Sequence, residues 1–187
     1  MQKASYTGMT LFVFSITQKS DIYRIKKDMA YRIGSGVDFH QLAEGRELWI
    51  GGIKIPHTKG AVGHSDADVM LHAICDAILG ALALGDIGTH FPDTDASFKN
   101  IDSKILLKKC IDLIDARGYK VINIDSTLCL QSPKIKPYVS QMQETIASIA
   151  KVTVNDVSVK ATTTEHLGFV GREEGLQAFA TVLLSLK

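Results

Sequence analysis

Side chains of the types that bind zinc occur in two short segments of this 187-residue chain. Asp38 and His40 lie in residues 32–40, where apolar residues alternate with polar or glycine positions, a pattern that predicts a strand. Because strand side chains repeat every two residues, Asp38 and His40 should project from the same face. His72 lies on a predicted amphipathic helix that has Ser65 as its N-cap. One carboxylate and two imidazoles are ligands that zinc accepts, and three protein ligands leave the fourth position free, as in a catalytic site.

Each of these residues also has an ordinary structural interpretation, and for any one of them alone that interpretation is the more common. Asp38 could cap a turn, and His72 could be a hydrogen-bonded histidine of the core. A structural explanation is less convincing for the three candidate ligands taken together. In addition, Asp68 and Asp76 lie four residues before and after His72 and share its helix face. We expect these two carboxylates to orient His72, as hydrogen-bond partners of metal-binding histidines do.

Composition limits the classes of protein to which the chain can belong. An apolar content of 45% with 22% charged residues is typical of one globular domain. The net charge of +1 indicates neither nucleic-acid nor membrane binding. Cys75, Cys110 and Cys129 have no paired spacing, so we expect buried apolar residues of a reducing compartment and neither a disulfide framework nor a zinc ribbon.

The first 28 residues differ from the rest, with five basic residues against two acidic ones. Their apolar run at 11–16 is too short to span a membrane. Met29 directly precedes the patterned domain, so we expect residues 1–28 to be a dispensable extension from an upstream or misassigned start, and residues 29–187 to be the functional domain.

The order of predicted elements indicates an α+β fold, with a mixed β-sheet and helices on one of its faces. Gly51-Gly52 predicts a hairpin between strands at 47–50 and 53–55. We predict a loop at 56–63, helices at 65–84, 103–117 and 137–150, and further strands at 121–130, 157–161 and 176–186. The long loops at 85–102 and 162–175 are rich in Gly, Asp and Thr, and such loops are usually functional.

Two further segments could bind phosphate. Consecutive threonines in 161–172 directly follow a strand, and their hydroxyls and nearby backbone N–H groups suit phosphate oxygens. Glu165 there would be a hard oxygen ligand for magnesium or manganese. The same segment is equally compatible with a β-branched strand end that runs into a turn. Lys134 and Lys136 could frame a base or a phosphate, although paired loop lysines are more often surface charge.

Five motifs together resemble the 2-C-methyl-D-erythritol 2,4-cyclodiphosphate synthase family over about residues 31–187. They are Arg32-Ile33-Gly34-x-Gly36-x-Asp38-x-His40, His64-Ser65-Asp66-x-Asp68, Leu84-Gly85-Asp86-Ile87-Gly88, Phe91-Pro92-Asp93-Thr94-Asp95 and Lys160-Ala161-Thr162-Thr163-Thr164-Glu165.

The resemblance implies a homotrimer of the non-mevalonate isoprenoid pathway, with active sites between neighbouring subunits. Its substrate would be 4-diphosphocytidyl-2-C-methyl-D-erythritol 2-phosphate, and its products the cyclic diphosphate and CMP. The implied zinc ligands are Asp38, His40 and His72, and Glu165 would hold magnesium or manganese. The implied substrate contacts on the methylerythritol and ribose side are His64, Ser65, Asp86, Gly88, Phe91, Asp93 and Asp95. On the cytidine and diphosphate side they are Leu130, Ser132, Lys134, Lys136, Thr162, Thr163, Thr164 and Glu165.

The resemblance also implies roles beyond contact. His64 and Thr163 match positions that stabilise the transition state, and Phe169 and Arg172 match residues near the trimer axis, where an isoprenoid diphosphate could bind. Two positions depart from the family pattern: Ser35 replaces a common histidine, and His166 stands where lysine is frequent. We expect a bacterial cytoplasmic enzyme in preference to a plastid one.

The implied reaction needs positioning and charge neutralisation more than a base. The 2-phosphate attacks the β-phosphorus of the same molecule, and with a second pKa near ~6 it is already largely dianionic at neutral pH. Zinc would polarise the β-phosphate, while the ion on Glu165 would improve CMP as a leaving group. Two alternatives remain open: a zinc-dependent phosphohydrolase that releases inorganic phosphate, and a non-catalytic binder of isoprenoid phosphates that uses Arg172.

Overall fold

The computed structural model describes residues 30–187, in which a five-stranded sheet and a separate two-stranded hairpin are packed with helices. The strands are β1 (Tyr31–Glu44), β2 (Leu48–Ile50), β3 (Ile53–Ile55), β4 (Lys59–Val62), β5 (Tyr119–Cys129), β6 (Val157–Thr162) and β7 (Gly175–Leu186). The helices are α1 (Val69–Ala81), α2 (Ile87–His90), α3 (Ser103–Asp115), α4 (Val139–Ala150) and α5 (Gly168–Gly171), with 3₁₀ turns at Ala96–Phe98, Lys136–Tyr138 and Val154–Asp156. The predicted extension, residues 1–28, lies outside the described residues.

The large sheet is mixed, with strand order β4-β1-β7-β5-β6. β1 runs antiparallel to β4 and β7, and β5 runs antiparallel to β7 but parallel to β6. Parallel neighbours need a crossover connection, and α4 lies in the segment that joins β5 to β6. The predicted α+β fold with a mixed sheet is confirmed.

The two faces of the sheet differ in what covers them. The helices pack against one face, towards which Gly34 and Gly36 of β1 point. On the other face lie Ile33, Val37, Phe39 and, paired with Val37, Phe179 of β7. These four side chains, the apolar sheet face, are between 45% and 71% exposed in the single chain. The alternation that predicted strand β1 is therefore confirmed, but the apolar residues of this pattern point away from the helices.

Helix α1 is the centre of the core, and all of its residues except Asp76 and Gly80 are buried. A helix that is apolar on nearly all sides must be covered on all sides, and α1 lies between the sheet and α3. Two predicted bounds were wrong. Asp68, not Ser65, is the N-cap, because its carboxylate accepts the N–H groups of Met70 and Leu71. The helix ends at Ala81 and not near residue 84, since Ala83 has a left-handed φ of 55°.

The predicted hairpin is confirmed, with positive φ angles of 61° at Gly51 and 78° at Gly52, as a type I′ turn requires. The loop predicted at 56–63 is wrong, because it contains β4, which pairs with the last residues of β1. β4 is only four residues long and includes a lysine and a glycine, which have low strand propensity. Its pairing with β1 is a tertiary contact that local pattern cannot reveal.

No helix among residues 30–187 is long and apolar enough to cross a membrane. The three cysteines are free; Cys75 and Cys110 are buried as predicted, whereas Cys129 is partly exposed.

Candidate metal centre and active site

The strand register and a close strand–helix contact bring the three predicted zinc ligands together. Asp38 and His40 follow Gly34 and Gly36 on the β1 face that meets α1, and α1 supplies His72. A Cβ atom at Gly34 would lie 1.9 Å from the carbonyl oxygen of Ala77, and one at Gly36 would lie 2.1 Å from that of Ala73. The two glycines therefore permit the approach that places Asp38 beside His72.

The three side chains form a set of metal donors. Oδ2 of Asp38 lies 3.0 Å from Nδ1 of His40 and 3.0 Å from Nδ1 of His72, and the donor atoms of all three are within 4.8 Å of one another. Nδ1 of His40 is buried and makes no hydrogen bond of acceptable geometry, although the Asp38 carboxylate is near. Such an orphaned nitrogen is the expected state of a ligand whose partner is a cation, and a tetrahedral zinc site has donor separations of about 3.4 Å. The residues present therefore fit a divalent metal.

The charges at this cluster favour a cation. Burial alone would raise the pKa of Asp38, but the neighbouring imidazoles of His40 and His72 outweigh it and lower the pKa to about 2. Burial would lower the pKa of His72, but the hydrogen bond and charge of Asp38 raise it. Without a metal, the carboxylate is thus an anion that holds a proton on its histidine neighbour, and a metal ion would take the place of that proton.

The far side of the His72 ring is held by hydroxyl groups. Nε2 of His72 lies 2.9 Å from Oγ of Ser103 and 3.0 Å from Oγ of Ser65. The prediction that Asp68 and Asp76 orient His72 is wrong. The carboxylate of Asp68 is fully buried and accepts four backbone N–H groups, those of Gly51, Gly52, Met70 and Leu71, so it joins the hairpin to α1. Asp76 accepts the N–H of Ile87 at 2.7 Å and so fixes the start of α2.

A cleft of about 360 Å³ opens beside the metal donors. It is lined by His40, His64, Ser65, His72, Ile87, Gly88, Phe91, Pro92, Asp93, Phe98, Ile101 and Leu106. The structure thus brings together most residues predicted for the methylerythritol side. The others act nearby as caps: Asp86 accepts the N–H of Thr89 at the start of α2, and Asp95 accepts the N–H of Ser97 at 2.9 Å.

Four of the eight residues predicted for the cytidine and diphosphate side line a second, smaller cavity of about 70 Å³. Because β5 and β6 are parallel, Cys129 pairs with Thr162 and the loops that follow the two strands leave the same sheet edge. Leu130, Lys134, Thr162 and Thr163 line this cavity together with Pro133, Ile135 and Ala161. The N–H of Leu130 donates to the carbonyl of Thr162 at 3.0 Å and ties the loops together. Ser132 and Lys136 belong to the first of these loops but are not among the lining residues.

Glu165 lies at an exposed turn beside this second cavity. Oγ1 of Thr163 donates to its carboxylate at 2.8 Å, and Oγ1 of Thr164 donates to the carbonyl of Leu167. Glu165 and His166 have successive left-handed φ angles of 51° and 64°, which are strained for residues with a Cβ. Among the described residues, the one cluster of three His, Cys, Asp or Glu metal donors is that of Asp38, so at Glu165 one carboxylate would hold an ion together with other oxygen ligands, such as water or substrate phosphate.

Phe169 and Arg172 lie elsewhere. The Phe169 ring packs against Phe39 with centroids 6.1 Å apart, next to the apolar sheet face. The guanidinium of Arg172 makes two hydrogen bonds of 2.9 Å to Glu174, so its charge is already balanced within the chain.

Sequence reasoning missed several residues of the site. Ser103 and Asp66 lie behind His72, and Lys109 places its ammonium 4.8 Å from the ring centre of Phe98 and 5.6 Å from that of Phe91. Asp66 was visible within the second motif. Ser103 and Lys109 gave no signal, because their partners are distant in the chain: Ser103 meets His72 of α1, and Lys109 meets Phe91 and Phe98 in the segment between α2 and α3.

Comparison with known proteins gives a consistent result. Residues 31–185 match the model of the YgbB family. The 2-C-methyl-D-erythritol 2,4-cyclodiphosphate synthase of Bacteroides thetaiotaomicron is 60% identical over 156 residues, which cover 83% of this chain and 98% of that protein. A structure of 2C-methyl-D-erythritol-2,4-cyclodiphosphate synthase in its CDP-bound form has a TM-score of 0.77 at 37% identity and covers 82% of this chain and 100% of that one. The bifunctional IspDF of Campylobacter jejuni has a TM-score of 0.82 at 44% identity and covers 85% of this chain but 43% of that longer one. The chain belongs to the YgbB family.

Proposed function

We propose that the chain converts 4-diphosphocytidyl-2-C-methyl-D-erythritol 2-phosphate into 2-C-methyl-D-erythritol 2,4-cyclodiphosphate and CMP. The observation that carries this proposal is the convergence of Asp38, His40 and His72 at the wall of a cleft that also holds His64 and Asp93. Relatives that bear the name of this enzyme are 54–61% identical to the chain over nearly their whole length, and a solved relative is described as CDP-bound.

The chain's own residues supply position and charge for an internal phosphoryl transfer. An oxygen of the 2-phosphate forms a bond to the β-phosphorus, the bond from that phosphorus to the CMP oxygen breaks, and no water enters either product. The attacking phosphate is largely dianionic at neutral pH, with a second pKa near ~6, so no residue must remove a proton from it. His64 in the cleft and Thr163 beside the second cavity are suited to stabilise charge on the transferring phosphoryl group.

Two metal ions complete the proposal. Asp38, His40 and His72 would hold zinc, and Glu165 with the substrate diphosphate would hold magnesium or manganese. When bound, these ions withdraw electron density from the diphosphate and neutralise the charge on departing CMP. The orphaned Nδ1 of His40 supports the first site, and the exposed carboxylate of Glu165 next to Thr163 supports the second.

We also propose a homotrimer in which each active site lies between two subunits. The metal cleft and the smaller cavity are lined by different residues of the chain, although one substrate would have to contact both. The apolar sheet face is a large exposed patch of the kind that marks an interface. Phe169 packs against Phe39 at its edge, so an isoprenoid diphosphate near the threefold axis would meet this aromatic pair and compete with Glu174 for Arg172.

Product analysis by ³¹P NMR tests the reaction. The purified protein with zinc and magnesium should convert the diphosphocytidyl substrate into equal amounts of CMP and a cyclic diphosphate. Release of inorganic phosphate would instead show a phosphohydrolase, and no turnover together with isoprenoid diphosphate binding would show a binding protein.

Complementation tests the shared site. A His72→Ala variant and a Thr163→Val variant should each be inactive. A mixture of the two refolded together should recover part of the activity, because some of its active sites combine an intact metal cleft from one subunit with an intact smaller cavity from the next. Sedimentation should give three subunits. A monomer with full activity would contradict the assembly.

A further inference from the structure

We propose that Asp66 and Ser103 are positioning residues, which hold His72 in the tautomer that binds metal through a relay of hydrogen bonds. The inference rests on the metal site of the proposed function and deepens it. Its observations are independent of the substrate, because both residues lie behind the histidine and not in front of it.

The relay has a continuous set of contacts. Ser103, the first residue of α3, is completely buried, and its Oγ lies 2.9 Å from Nε2 of His72. The same hydroxyl makes a short hydrogen bond to Oδ1 of Asp66, and the backbone N–H of Ser103 donates to Oδ2 of Asp66 at 3.0 Å. Both carboxylate oxygens of Asp66 are therefore used to hold this one serine.

The chemistry of the groups gives the relay a direction. An ionised carboxylate can only accept, so the hydroxyl proton of Ser103 must point to Asp66. The lone pairs that remain on Oγ face His72, whose Nε2 must then carry the proton and donate it. When a metal takes the place of the proton that Asp38 holds on the ring, the relay therefore keeps the remaining proton on Nε2 and leaves Nδ1, 3.0 Å from Asp38, free to bind the metal. The relay thus fixes the metal-binding nitrogen and turns the ring towards the site.

Backbone contacts make the relay rigid. The N–H of Asp66 donates to the carbonyl of Ile101 at 3.1 Å, and that of Asn100 donates to the carbonyl of His64 at 2.7 Å. The N–H of Asp68 also donates to Oδ1 of Asp66 at 3.2 Å. The segment before α1 and the segment before α3 are thus joined directly behind the metal ligand, and the Asp66 carboxylate cannot turn away without breaking its hydrogen bonds to the N–H groups of Asp68 and Ser103.

Ser65 is the second acceptor at Nε2, at 3.0 Å, but it is less committed to His72. Its Oγ also accepts the N–H of Ala67 at 3.1 Å, and Ser65 lines the cleft, where a substrate would compete for the hydroxyl. Ser103 is not among the residues that line the cleft. We therefore infer that its hydrogen bond to Nε2 of His72 persists when substrate is bound.

Zinc affinity measured against a chromogenic chelator tests the relay without any turnover. Asp66→Asn lets the side-chain amide donate to Ser103, whose proton would then turn towards Nε2 and favour the wrong tautomer. Ser103→Ala removes the hydroxyl. Each variant should bind zinc about 10–100-fold more weakly than the wild type. The matched control is Asp102→Asn, which removes a carboxylate from the N-cap of the same helix, where it accepts the N–H of Lys104 at 2.9 Å and does not touch His72. It should leave the zinc affinity unchanged.

A second readout separates positioning from loss of structure. In the zinc-loaded wild type, the Nε2 proton of His72 should be protected from solvent exchange in ¹⁵N NMR spectra, and in Ser103→Ala it should exchange faster. If Asp66→Asn does not fold, Ser103→Ala and its proton exchange decide the question.

The outcomes distinguish the relay from the proposed function. Wild type that binds zinc while both variants bind it equally well would overturn the relay alone. Equal weakening in Asp102→Asn would overturn it too, since the effect would then come from the helix start. A wild type that binds no zinc would overturn the metal site and the relay together.

Discussion

Substitution of Gly36 by alanine should damage the metal site without touching a ligand. The new Cβ would lie 2.1 Å from the carbonyl oxygen of Ala73, whereas ordinary contact begins at 3.4 Å, so strand and helix must separate by about 1.3 Å. Asp38 is two residues further along β1 and His72 directly precedes Ala73, so the separation should also increase the distance between these two metal donors. A misplacement of about 1 Å costs on the order of 10²-fold in rate, and overpacking of a core costs about 1–3 kcal/mol.

The assays are zinc affinity, CMP release and thermal unfolding. Gly36→Ala should lower the zinc affinity, the rate of CMP release and the Tm, with a loss in Tm of about 2–4 °C per kcal/mol of destabilisation. Gly80→Ala is the matched control on the helix side of the same contact, because the nearest atom to its new Cβ, the carbonyl oxygen of Ser35, is 3.8 Å away. In a helix, this change should stabilise by about 0.4–1 kcal/mol. Wild-type zinc affinity and turnover in Gly36→Ala, or equal damage in both variants, would refute the reasoning.

Three further predictions concern metals, pH and the N-terminal segment. His72→Ala should lose bound zinc and turnover, while Glu165→Gln should keep zinc, need more magnesium and lose on the order of 10²–10³ in rate; equal zinc content in the two variants would contradict separate metal sites. Because the pKa of His72 is raised in the folded chain, its stabilising effect is complete below the ordinary value of 6.5 and is lost as pH rises through the folded pKa. The Tm of the metal-free protein should therefore fall as pH rises above 6.5, and the Tm of a His72→Gln variant should change less with pH. Deletion of residues 1–28 should leave Tm and activity unchanged, and loss of the trimer on deletion would contradict this.

Residue types and local period predicted much of the fold. The spacing of Asp38 and His40 predicted that they share one face of β1, and the structure shows that face, with Gly34 and Gly36 on it, against α1. Gly51-Gly52 likewise predicted its hairpin, since few residues accept two successive positive φ angles. These features depend on neighbours in the chain, which the sequence displays directly.

What could not be predicted depends on contacts between distant segments. Ser65 and Asp68 are both good N-caps, and Asp68 became the cap because its carboxylate also receives the N–H groups of the hairpin. Residues 59–62 form strand β4 because they pair with the edge of β1. Ser103 contacts His72 although 31 residues separate them in the chain, and the local pattern of a helix start does not predict such a contact.

The central claim is that the 2-phosphate of the substrate, and not water, attacks the β-phosphorus. The most direct test is turnover in H₂¹⁸O, followed by mass spectrometry of both phosphorylated products. The account predicts that CMP and the cyclic diphosphate contain no ¹⁸O. A linear methylerythritol 2,4-bisphosphate with one ¹⁸O atom on its 4-phosphate, formed in place of the cyclic diphosphate, would show that water is the nucleophile and would contradict the account.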